Sequence, residues 1–217
     1  MKTRTIIFGM TAMLIVMLAT PAFSNDEKYR QTMLKNIETV YKAETIDQLL
    51  GSVNTFERIA SAEKTKWEPQ YYAAFGYIMM ATREKDGSRK DTYLDQALSA
   101  IEKAKAIVPT ESEVIALEGF VHMIRVSVDP ATRGPRFAGL AMQTFGKAIE
   151  LNPENPRALA LLAQMQYGTA QFFGSSTAEA CGTGKKAVEK FDTFKSDNPL
   201  APVWGRPMAE SMITHCK

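Results

Sequence analysis

Residues 141–156 read AMQTFGKAIELNPENP. Ala141, Phe145 and Ala148 are spaced by four and then three residues, which puts them on one face of a helix. Pro153 lies five residues further on and ends that helix, and Asn155-Pro156 has the form of a cap followed by proline at the first position of the next one. The same ending occurs twice more, as Ala97, Ile101, Ala104 and Pro109 and as Ala187, Phe191, Phe194 and Pro199. The spacings 4, 3 and 5 hold in all three copies, and the prolines recur after 44 and 46 residues. Such self-similarity is the mark of a repeat architecture. The small residues let a helix approach its neighbours, and the bulky residue one turn on fills the space between pairs.

A second set precedes each ending: Tyr72, Phe75, Gly76 and Met79; Ile115, Glu118, Gly119 and His122; Leu159, Leu162, Ala163 and Gln166. Together the two sets resemble the tetratricopeptide repeat (TPR), whose first helix carries a bulky, an aliphatic, a small and an aromatic residue at those offsets. Its second helix carries the small, aromatic, small and proline positions. The resemblance implies an all-α, TPR-like solenoid of antiparallel helix pairs. Glu118, His122 and Gln166 depart from it, since they occupy places normally apolar or aromatic. Length departs too: the family unit is 34 residues, so each copy here is longer. The excess falls at Ala81–Tyr93, Val126–Gly139 and Tyr167–Thr177, which predicts enlarged intra-repeat loops or helix ends on one edge of the stack. Arg133-Gly134-Pro135, Asn155-Pro156-Arg157, Phe172-Phe173-Gly174 and the ending from Pro202 to Lys217 are similar to exported TPR proteins of Bacteroidetes-type bacteria. That similarity brings no activity with it.

The expected organisation is a signal peptide over residues 1–24 and one helical domain over 25–217. Its pairs are expected at about 26–62, 67–108, 111–152 and 156–197, with a short C-terminal capping helix at 206–216 that covers the last apolar face, as solenoid ends require. Thr45-x-x-Gln48, Thr110-x-x-Glu113 and Ser176-x-x-Glu179 have the form of capping boxes. At the N-terminus Lys2 and Arg4 precede an apolar run from Ile6 to Ala19 and a small-residue site at Ala22-Phe23-Ser24, the layout of a secretory signal. An uncleaved anchor is the alternative; Thr20-Pro21 interrupts the run and favours cleavage. No lipid-bearing cysteine stands at that point, so a periplasmic location without membrane insertion is expected. The full chain carries a formal charge of +2, and losing Lys2 and Arg4 removes it. A neutral mature chain has no electrostatic excess for nucleic acid or an anionic membrane.

Cys181 and Cys216 are the only cysteines, an even count suited to pairing in an oxidising compartment and too few for a metal cluster. The last long helix and the capping helix should run antiparallel, which returns Cys216 to the start of the preceding helix, where Cys181 lies. A disulfide is predicted, contributing about 3 kcal/mol by closing its loop. Two unrelated thiols are the alternative.

The sequence shows no nucleophile elbow, phosphate-binding loop or zinc-helix motif. His122 sits at a position that packs between helices, and His215 lies on a terminal helix poorly suited to hold a base beside a thiol. No catalytic residue, cofactor or metal is expected. What remains is a binding surface for a protein or peptide. First-helix positions that line the concave groove in TPR proteins are here Tyr77, Met80, Phe120, Met123, Gln164 and Tyr167, and aromatic and methionine side chains suit apolar contact with a peptide. Equally, these residues could pack under the enlarged edge and leave no groove. A second candidate is a rim of Arg133, Arg136, Phe172 and Phe173 on that edge. The other function class is a small-molecule or glycan binder using a cavity beneath the long edge.

Overall fold

The computed structural model describes residues 20–216, so residues 1–19, which hold most of the expected signal, lie outside the described residues. Helices α1 (Thr20–Lys42) and α2 (Ile46–Ala62) form the first pair. They are followed by α3 (Glu68–Arg83) with α4 (Gly87–Ile107), α5 (Ser112–Val126) with α6 (Pro130–Leu151), and α7 (Pro156–Phe172) with α8 (Ala178–Thr193). A short α9 (Arg206–Ile213) closes the chain. The described residues include no strand. The first helices α3, α5 and α7 touch one another in sequence order, and each packs on its own second helix. The fold is an all-α, TPR-like stack of helix pairs.

Two of the small positions act as the spacing requires. A Cβ built on Gly76 would stand 2.5 Å from Val53 of the preceding pair, and one on Gly119 would stand 2.5 Å from the ring of Phe145. Phe145 is fully buried, as are Ala97, Ile101, Ala104, Ala141 and Ala148 from the repeated endings. The core is therefore built where the chain repeats.

The extra residues of each copy are largely helical. α4 and α6 run for 21 and 22 residues, and the links before them are the three-residue turns Glu84–Asp86 and Ser127–Asp129. Asp86 and Asp129 cap the lengthened helices by accepting from the amides of Arg89 (2.8 Å) and Thr132 (3.1 Å). The enlarged edge is thus a row of long helix ends.

Other helix starts follow their sequence signals to different degrees. The Thr45 box is complete: its hydroxyl accepts from the Gln48 amide at 3.2 Å, and the Gln48 side chain accepts from the Thr45 amide at 3.3 Å. Asn155 accepts from the amides of Arg157 and Ala158 at 3.0 and 3.1 Å. At α5 the cap is Glu111, accepting from the Glu113 amide at 3.1 Å, because Glu113 is drawn inward by Arg157. At α8 the cap position is Thr177 with no side-chain bond, and Glu179 instead accepts from Gln166 at 2.8 Å.

Between α8 and α9 the chain crosses the face formed by the first helices. Asn198 donates to Glu68 at 3.1 Å, Tyr72 donates to the Leu200 carbonyl at 2.7 Å, and Trp204 donates through Nε1 to the Tyr71 hydroxyl at 3.0 Å. The Trp204 ring lies 5.3 Å from Phe75 and 5.9 Å from Phe120. Gly205, at φ 105°, turns the chain into α9 while its Cα sits close under Phe191 and Arg157. Cys181 and Cys216 then form the expected disulfide, with Cα atoms 5.7 Å apart. Gly184 allows α9 its close approach, since a Cβ there would meet Met212 at 2.1 Å.

Candidate functional site

The concave groove of the sequence reading is filled. Residues 194–205 cross it, and three of the residues assigned to its floor, Tyr77, Met80 and Phe120, are interior. Met80 is fully buried, and Phe120 lies beneath Trp204. Tyr77 is buried and donates to Glu57 at 2.9 Å; burial and that carboxylate push its phenol well above the usual range. The open groove expected at Tyr77, Met80 and Phe120 is therefore corrected for these three: Trp204 of the tail covers Phe120, and Tyr77 reaches α2, because large apolar side chains gain most by burial. Met123, Gln164 and Tyr167 are half-buried, and the Tyr167 hydroxyl accepts from Gln171 at 3.1 Å.

Beneath the tail lies a buried ion pair. Arg157 donates to both Glu113 oxygens, at distances from 2.7 to 2.9 Å, and both residues are buried. The Arg157 guanidinium also lies 4.4 Å over the Phe194 ring. Burial pushes the Glu113 carboxyl above its usual range against the pull of Arg157. The pair joins α5, α7 and the tail, and removing one partner would strand a charge in the interior.

The rim residues divide by role. Arg133 grips Asp91 through two bonds of 2.7 and 2.8 Å, and Arg125 reaches the same aspartate at 3.2 Å and also Asp95. Arg133 therefore ties the start of α6 to α4. The hydrogen bond from Arg133 holds the Asp91 carboxyl below its usual range. Arg136 is exposed, with its guanidinium 5.2 Å over Phe137. Phe172 and Phe173 are 67% and 72% exposed and meet edge to face at 5.1 Å. Together the two rings form an exposed apolar patch on the long edge.

Those two rings stand at the mouth of a cleft of about 420 Å³ between the first half of α6 and the last half of α7. One wall carries Pro130, Gly134, Pro135, Ala138, Gly139 and Met142, and the other Met165, Gly168, Thr169 and Phe172, with Val126 at the base. The two helices are knitted at their other ends, where Ser112 donates to the Ala148 carbonyl at 2.7 Å and Asn155 donates to the Ser112 hydroxyl at 2.8 Å. Toward the long edge, glycine and alanine face each other and the space stays open. The size falls in the range of small-molecule sites, and the lining is apolar like theirs. Within it the Thr169 hydroxyl is shielded from solvent and has no hydrogen-bond partner.

Reactive groups stand elsewhere. Both cysteines are joined in the disulfide. His122 stacks on Phe137 at 6.2 Å, and burial holds its imidazole below the usual range, hence neutral. Among the described residues no three His, Cys, Asp or Glu side chains are placed to hold a metal ion. No described helix is long and apolar enough to cross a membrane.

The lining residues Gly134, Pro135, Gly139, Met142, Met165 and Gly168 were not singled out as a site from the sequence. Their signal was present: glycine and proline inside long helical stretches, at positions the repeat does not use.

The fold is shared with a haemophore. Over 87% of this chain and 92% of the other, the structure superposes on HusA, a haemophore from Porphyromonas gingivalis, with a TM-score of 0.78 and 26% identity. A TPR protein of Thermus thermophilus aligns over 84% of this chain and 99% of its own, at 16% identity and a TM-score of 0.43. No protein-family model matches the sequence, and no curated protein matches it.

Proposed function

We propose that the protein is an exported, periplasmic binding protein whose α6–α7 cleft holds an apolar ring ligand of the porphyrin class. The carrying observation is the cleft itself: about 420 Å³, apolar, and flanked by an exposed aromatic pair. The likeness to a haemophore over most of both chains supports the choice of ligand class. Phe172 and Phe173 belong to this reading as mouth residues that stack on the ligand. A peptide in the concave groove is not favoured, because the chain's own tail lies there. The disulfide supports export, since such bonds persist in oxidising compartments. The reading requires no catalytic residue.

The test is an equilibrium titration of the chain with protoporphyrin, with and without iron, followed by absorbance. One saturable site is expected. Gly168→Trp, which places a large side chain in the cleft from an exposed backbone position, should abolish binding while the circular dichroism spectrum stays helical. No saturable binding, or full binding by Gly168→Trp, would overturn the proposal.

A further inference from the structure

Glycines inside the described helices fall into two kinds. At Gly76, Gly119 and Gly184 an added Cβ would meet a neighbouring side chain at 2.5, 2.5 and 2.1 Å, so helix packing accounts for them. At Gly134, Gly139 and Gly168 nothing lies within 4 Å of that position, although all three stand inside helices, where glycine is less stable than alanine. Packing does not explain them. All three line the same cleft, two on the α6 wall and one on the α7 wall.

We infer that Gly134, Gly139 and Gly168 set the width of the cleft, so that it takes a flat, rigid ring system in preference to a flexible apolar chain. This rests on the ligand reading above and deepens it. The geometry follows from contact distances. A flat ring lies about 3.5 Å from the atoms it packs against, and bare backbone on both sides lets its two faces be covered at once. A methyl group projects ~1.5 Å from each wall, so alanine on both sides removes a large part of one contact distance. A flexible chain can bend around such methyls, whereas a rigid plate cannot. The remaining lining suits the same occupant: the thioethers of Met142 and Met165 are polarizable surfaces for a π-system, and the rings of Phe172 and Phe173 stand at its edge. Glycine alone would not carry the point, because Gly51, Gly146 and Gly182 are equally open and lie away from the cleft. Three of them on the walls of one apolar cavity do, and one outside it supplies the control.

The experiment uses the full chain with Gly139→Ala, Gly168→Ala, the double variant and Gly146→Ala. Each is measured for thermal stability and for affinity toward metal-free protoporphyrin and toward palmitate. Every substitution should raise the melting temperature, by about 2–4 °C apiece. The double variant should bind protoporphyrin at least about ten-fold more weakly and palmitate within about two-fold of wild type, and Gly146→Ala should bind both as wild type does. A folded, stabilised double variant that keeps its protoporphyrin affinity would overturn the inference, as would an equal loss for palmitate. If the wild-type chain binds no protoporphyrin at all, the ligand reading fails first and this inference falls with it.

Discussion

Replacing Gly119 with alanine sets two known effects against each other at one position. Helix propensity favours the change by about 1 kcal/mol. Packing opposes it, because the new Cβ would lie 2.5 Å from one Phe145 ring carbon, 2.6 Å from a second and 3.1 Å from a third. Carbon atoms at rest sit about 3.5–4.0 Å apart, so the ring must move by roughly 1 Å. Phe145 is fully buried, and the move must be passed on to α5 or α6. Overpacking of this kind costs about 1–3 kcal/mol, which leaves a net loss of up to about 2 kcal/mol. Gly146→Ala, on the helix that carries Phe145, makes only the favourable change, as its Cβ meets nothing within 4 Å. The two variants should therefore differ by about 1–3 kcal/mol in urea unfolding. Their melting temperatures should move in opposite directions or diverge by several degrees, at about 2–4 °C per kcal/mol for a chain of this size. Equal stabilisation by both would refute the idea that close approach at the recurring small positions holds the pairs together.

Cys181→Ser/Cys216→Ser removes a link across 35 residues, worth about 3–4 kcal/mol in the chain-entropy account; a calorimetric loss of under about 2 °C would show that the staple does little. Trp204→Ala should cost about 2–3 kcal/mol, below the range for a fully buried aromatic. In limited proteolysis it should open cleavage between residues 194 and 205 while the helix pairs stay resistant. The acid side can be read through Asp91, whose folded carboxyl titrates below its unfolded value of about 3.9. Its contribution is then full above that pH and is lost as the pH falls through the folded value. Asp91→Asn should be less stable than wild type in urea at pH 7, and the gap should narrow as the pH is lowered below about 3.9; a constant gap would rule out the ionised pair with Arg133 as the cause. His122, held neutral by burial, has its folded value below about 6.5. Stability should decline as the pH drops below that point, and His122→Phe should flatten the decline.

Much of the fold was legible because it repeats. Gly76, Gly119, Ala141, Phe145 and Ala148 do in space what their spacing implies, and the antiparallel course of the last helices brought Cys181 to Cys216. The capping motifs were less reliable. Thr45 and Asn155 cap as written, whereas the Thr110 motif lost its glutamate to a buried arginine 44 positions away, a partner no local pattern can show. The tail was hidden for a related reason. Residues 194–205 lack any helical or strand period, and read locally they are only a link between helices. Their destination depends on Tyr71, Tyr72 and Phe75 being exposed on one face of the finished stack. The cleft was missed because the residues that form it are small: an empty space is made by side chains that are absent, and Gly139 and Gly168 carry no apolar signal of their own.

The crossing tail also alters how the molecule should come apart. In an ordinary linear array each unit touches only its neighbours, so the ends fray first and unfolding spreads inward. Here Asn198 reaches Glu68, and the Val203 amide donates to the Tyr41 hydroxyl at 3.4 Å, so the last residues clasp the first two pairs. Fraying at either terminus then disturbs the other. The molecule should unfold as a single cooperative block, with hydrogen exchange in α1 and α9 slowed together rather than graded along the chain.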